Sequence, residues 1–78
     1  MKISDIPYDE LVKYFSTTRK GTFTSDCEFF PNFKVSGTVY NIYKRPNSQE
    51  TMFKVKEQNK GKFIEIGSNM RNLVFQEI

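Results

Sequence analysis

The sequence predicts an α+β domain: one N-terminal helix packed on one face of a four- or five-stranded antiparallel β-meander. Three observations carry this expectation. Residues 7–16 place apolar side chains at helical spacing. Residues 38–78 contain four runs of β-branched and aromatic residues bounded by turn formers. The connections between those runs are too short for parallel crossovers, which need a dozen residues or more.

The helix comes first. Pro7 suits its first turn, where a missing N–H costs nothing. Asp9 and Glu10 follow, at the positive end of the helix dipole. Leu11, Val12 and Phe15 form an apolar face, with Tyr8 one turn earlier and Lys13 pointing away. Gly21, after Arg19 and Lys20, reads as a stop signal. So short a helix is marginal alone and must dock on something.

Residues 22–35 are less regular. Thr22-Phe23-Thr24 has strand character, and Pro31 forbids a central strand through its own position. The expectation is an edge strand, a turn near Pro31-Asn32, a new strand from about Phe33, and a bulge at Ser36-Gly37.

The strands that follow are 38–44, 51–57, 63–66 and 73–76, with turns at 46–49, 59–62 and 68–71. Directly opposed residues of an antiparallel pair share a face. Four-residue turns then pair Ile42 with Phe53, Tyr40 with Val55, Val55 with Ile66, Glu57 with Ile64, Ile66 with Leu73, and Ile64 with Phe75. Lys56 falls opposite Glu65. The predicted inner face is Tyr40, Ile42, Phe53, Val55, Ile64, Ile66, Leu73 and Phe75.

Composition limits the function. At 78 residues the chain is expected to be a single small α+β domain over residues 1–78, which buries only about 60% of its unfolded surface. A deep enclosed active site does not fit. There is no histidine and one cysteine, Cys27. That removes Ser-His-Asp and Cys-His catalysis and leaves no zinc ligand set. Cys27 reads as a buried or half-buried small residue, since the sequence has no histidine to activate it. The Asp9-Glu10 pair reads as a helix-start preference, and Asp26 with Glu28 as a solvated strand edge. The four glycines are scattered and form no phosphate loop. The expectation is a non-enzyme with no cofactor and no metal. With no long apolar run and no disulfide framework, a soluble cytoplasmic protein is expected. The Lys-, Asn- and Ile-rich composition would suit an AT-rich genome such as a phage.

The same register defines an outer face: Val39, Asn41, Tyr43, Met52, Lys54, Lys56, Phe63, Glu65, Val74 and Gln76. One helix covers only one side of a sheet. The outer side is therefore open unless residues around Phe23, Phe29 and Phe30 fold over it, the bland structural alternative. Tyr43, Met52, Lys54, Lys56 and Phe63 are the candidate partner-binding residues. Tyr, Met and Phe are enriched in interface cores, and free edge strands can pair with a partner. These features point to a protein-interaction module, an adaptor or inhibitor of a larger protein, or a self-associating one. The alternative is a nucleic-acid binder in which Tyr43 and Phe63 stack bases while Lys54, Lys56, Lys44 and Arg45 meet phosphates. Net charge is +3, from nine lysines and three arginines against nine acids. That permits an anionic partner without demanding one.

Overall fold

A computed structural model describes residues 1–68 and 72–78. A 3-10 turn at Ile3–Asp5 precedes helix α1, Tyr8–Tyr14. Five strands follow: β1 Arg19–Ser25, β2 Lys34–Lys44, β3 Thr51–Glu57, β4 Phe63–Gly67 and β5 Leu73–Glu77. They form one antiparallel sheet in the order β4-β3-β2-β1-β5.

Pro7 stands at the N-cap of α1, and its carbonyl accepts from the Glu10 and Leu11 amides. The helix ends at Phe15, well before Gly21. Strand β1 begins at Arg19, so Gly21 lies inside a strand instead of stopping the helix. It sits opposite Gly37 on β2, in register and without a bulge there. The Phe75 ring occupies the space where a Cβ at Gly21 would stand. Side-chain volume across the sheet, not turn chemistry, thus requires glycine at this position.

Two sequence expectations about β1 change. It is an internal strand flanked by β2 and β5, not an edge. Pro31 does not prevent this, because it lies beyond the end of β1, in the connection to β2. The predicted β4–β5 hairpin is also replaced: β5 pairs with β1, bringing Phe75 opposite Phe23 and Leu73 opposite Ser25. Of the turn expected at 68–71, residues 69–71 lie outside the described residues.

The turn at 46–49 matches its expected length. Ile42 lies opposite Phe53 and Tyr43 opposite Met52, and the Arg45 amide donates to the Glu50 carbonyl at 2.9 Å. Asn47 takes a positive φ of 61° there, a conformation asparagine tolerates. At the next turn the register moves by two residues: Val55 pairs with Ile64, Phe53 with Ile66 and Lys54 with Glu65. A shift of two preserves the faces. Gly61, at φ 66°, supplies the left-handed residue of that turn.

A β-bulge between Val39 and Asn41 makes the largest change to the faces. Val39, not Tyr40, opposes Val55. Val39 is therefore buried at 2% exposure while Tyr40 stands 54% exposed. The alternation rule assigned the two the opposite way because it assumes an uninterrupted strand.

The core holds Ile3, Leu11, Phe23, Val39, Phe53, Val55, Ile66, Leu73 and Phe75, with Phe15, Ile42 and Ile64 packed against it. Its aromatic rings lean together across the inner face of the sheet. In a flat sheet β1 and β3 would stand roughly 10 Å apart. Yet the Phe23 and Phe53 ring centroids are 5.2 Å apart. Phe15 reaches Phe53 on β3 at 5.5 Å and Phe75 on β5 at 5.3 Å. Leu11 is buried with these rings, whereas Val12, expected on the same face, is 41% exposed. A polar clamp fixes the helix end. Tyr14 Oη donates to Glu77 Oε1 at 2.9 Å, Arg19 pairs with the same carboxylate at 3.0 Å, and the Arg19 guanidinium lies 3.8 Å above the Tyr14 ring.

Candidate functional site

The register arranges the outer face as rows of cross-strand neighbours. Lys20, Thr38, Lys56 and Phe63 form one row across β1, β2, β3 and β4. Asn41, Lys54 and Glu65 form the next, and Tyr43, Met52 and Gly67 the third. All five residues singled out from the sequence, Tyr43, Met52, Lys54, Lys56 and Phe63, therefore share one face of β2, β3 and β4.

Their centre is Phe63, which is 51% exposed. The shifted register puts it opposite Lys56, one row from Lys54. Lys54 Nζ lies 5.2 Å and Lys56 Nζ 5.9 Å from the centre of the Phe63 ring, both within cation–π range. Tyr40, turned outward by the bulge, meets Phe63 edge-to-face at 5.3 Å. Tyr40 is the residue of this cluster that the sequence reading missed. Val39, expected outside, leaves the face for the core.

Tyr43 and Met52 are half-buried and adjoin this cluster. Tyr43 Oη donates to Glu65 Oε1 at 2.6 Å, across the intervening strand. That hydrogen bond, reinforced by partial desolvation and the carboxylate's charge, raises the Tyr43 phenol above its ordinary pKa. It also occupies Glu65, the one acidic residue within these rows. Lys54 and Lys56 thus remain the charges that dominate around Phe63.

Two residues assigned to phosphate contact from sequence are engaged elsewhere. Lys44 Nζ lies 5.1 Å from the Tyr8 ring centre, and Arg45 pairs with the buried Glu50 at 3.3 Å. The stretch around Phe23, Phe29 and Phe30 does not cover Tyr40 and Phe63. Phe23 is fully buried in the core, and Phe29 is itself 78% exposed. Beside the aromatic pair, Lys20, Thr38, Tyr40, Lys56 and Gln58 line a shallow open cleft of about 260 Å³. Among the described residues, no three His, Cys, Asp or Glu side chains gather where they could hold a metal ion, and no helix is long and apolar enough to cross a membrane.

No family model, curated protein or solved structure matches this chain.

Proposed function

We propose that this chain is a non-enzymatic protein-interaction module, an adaptor or inhibitor that docks an acidic, partly apolar surface of a larger protein against the outer face of β2, β3 and β4. One observation carries the reading. Two half-exposed aromatic rings, Tyr40 and Phe63, pack on each other with the ammonium groups of Lys54 and Lys56 over the Phe63 ring. A small domain gains little stability from such an exposed pair. On docking, by contrast, the rings would bury apolar area and the lysines would meet carboxylates, the aromatic-centred pattern of interface hot spots. A standard interface takes about 800 Å² per partner, which is roughly a seventh of this chain's 5276 Å² surface.

Affinity capture from the native cell tests the reading, with the wild type beside Phe63→Ala and Lys54→Ala/Lys56→Ala. A protein retained by the wild type and lost by both folded variants is the expected result. Identical capture by all three would overturn it.

A second reading, nucleic-acid binding, is favoured by the row Lys20, Thr38, Lys56 and Phe63, which sets two cations and an aromatic along one line. Against it, the Phe63 ring already has lysine ammonium groups over it instead of an open face for a base. Phosphate-driven binding weakens steeply as salt rises. Titration of single- and double-stranded DNA and RNA with no binding at low salt would eliminate this reading.

A further inference from the structure

We infer that the free edge of β4 takes up an extended segment of the partner protein as a sixth strand, a proposal that rests on the interaction-module reading. The ladder sets which backbone groups are available. The Glu57 amide donates to the Lys62 carbonyl at 2.9 Å, and the Ser68 amide to the Thr51 carbonyl at 3.1 Å. Hydrogen-bonded and non-bonded pairs alternate along an antiparallel ladder. Residues 62, 64, 66 and 68 therefore bond to β3. The N–H and C=O groups of Phe63 and Glu65 point to the other side, where no strand lies among the described residues, while Gly67 follows in phase but is buried.

The opposite edge of the sheet is treated differently. On β5 the Phe75 amide donates to the Met1 carbonyl at 2.8 Å, and the Met1 ammonium donates to the Phe75 carbonyl at 3.0 Å. Lys2 bridges Val74. One edge is thus capped by Met1 and Lys2, and among the described residues the other is not. Edges left open are commonly blunted by charged side chains, especially lysine, by proline or by a bulge. Strand β4, with the sequence Phe-Ile-Glu-Ile-Gly, contains no lysine, proline or bulge, and its one charge, Glu65, is engaged by Tyr43.

Alternation also defines the occupant. Residues of an added strand that face Phe63 and Glu65 fall on the outer side, within reach of Lys54 and Lys56 on the next strand. The intervening residues fall on the inner side, beside the half-buried Ile64. The matching segment therefore carries an acidic residue beside Phe63, a neutral or basic one opposite Glu65, and apolar residues between them. A second copy of this chain is a poorer match. It would bring Glu65 near Glu65 and set one Lys54-Lys56 cluster beside another.

The test selects short random-sequence peptides on the immobilised protein. Enriched peptides are then titrated against the wild type, Glu65→Ala, Glu65→Pro and Lys54→Ala/Lys56→Ala. Proline at 65 removes an outward N–H without breaking a bond to β3, and alanine controls for loss of the carboxylate. The expected result is enrichment of peptides that alternate polar with apolar residues and carry an acid beside Phe63, and slowed hydrogen exchange at the Phe63 and Glu65 amides. Binding to Glu65→Pro should be about tenfold weaker than to Glu65→Ala. Equal binding to those two variants, with loss only in the lysine variant, would overturn strand addition and leave the module reading standing. No enrichment, or binding insensitive to every variant, would remove both. If Glu65→Pro fails to fold, the wild-type exchange decides: peptide binding that leaves the Phe63 and Glu65 amides fast overturns the proposal. Slowing of the same amides by self-association, read by sedimentation, does so too.

Discussion

The bulge at Tyr40 makes a prediction that reverses the outcome expected from simple alternation. Val39 is 2% exposed and faces Val55, while Tyr40 is 54% exposed and touches Phe63. Val39→Ala removes two buried methyl groups, worth about 1.6 kcal/mol by transfer alone. The residual cavity brings the cost to about 2–3 kcal/mol. A chain of this size has a total stability of about 4–12 kcal/mol, so the variant loses a large share. At about 4–8 °C per kcal/mol, its Tm should fall by about 10–20 °C. Tyr40→Thr keeps a β-branched residue in the strand and loses mainly the ring contact with Phe63, worth about 0.5–1.5 kcal/mol. Urea unfolding of both variants measures the difference, with the slope checked for constancy. Were Tyr40 the inward residue, its loss would cost about 3–5 kcal/mol, as for other buried aromatics. A Tyr40→Thr variant less stable than Val39→Ala would refute the bulge and the exposed aromatic pair together.

Other outcomes follow from single contacts. Gly21→Ala places a methyl group against the Phe75 ring and should cost about 1–3 kcal/mol by overpacking, measured by thermal melting. Glu77 is held below the ordinary carboxylate pKa, first by the Tyr14 hydrogen bond and then by Arg19. Because its folded pKa is depressed, its contribution is present above the unfolded value and is lost as pH falls through the folded one. Glu77→Gln should therefore flatten the acid limb of the stability profile, and an unchanged limb would contradict the clamp. The raised Tyr43 pKa gives the opposite sign: the contribution is present below the ordinary phenol value and lost as pH rises through the folded pKa. Ultraviolet titration should show two phenols, Tyr14 and Tyr43, ionising late, and Glu65→Gln should lower only the Tyr43 ionisation.

The sequence made the faces of the sheet legible more readily than the strand neighbours. Phe53, Val55, Ile66, Leu73 and Phe75 are inward as the pattern requires. Alternation assigns a residue to a face, but it does not say which strand lies alongside. Leu73 and Phe75 satisfy the same pattern beside β4 or beside β1, and the rings of Phe15, Phe23 and Phe53 favour the latter by closing around Phe75. Tyr40 was misplaced because a bulge inserts one residue with no compositional mark. The cap on β5 by Met1 and Lys2 was unreadable for a related reason: two residues carry no period. The candidate site survived these changes because a two-residue register shift leaves the faces intact, and Lys54, Lys56 and Phe63 stayed together.

The pairing of β5 with β1 has a consequence for how the chain is made. Phe23 and Phe75 are opposed in the sheet yet stand about 50 residues apart, and loop closure of that length is entropically costly before any contact repays it. The β2–β3 and β3–β4 hairpins close locally, whereas the strand that covers Gly21 and Phe23 is the last of the five to be synthesised. Until then the nascent chain has a sheet without its closing strand, and the rings of Phe15, Phe23 and Phe53 lack the partner that completes their cluster. Emergence of β5, not synthesis of the hairpins, sets the moment at which this core can close.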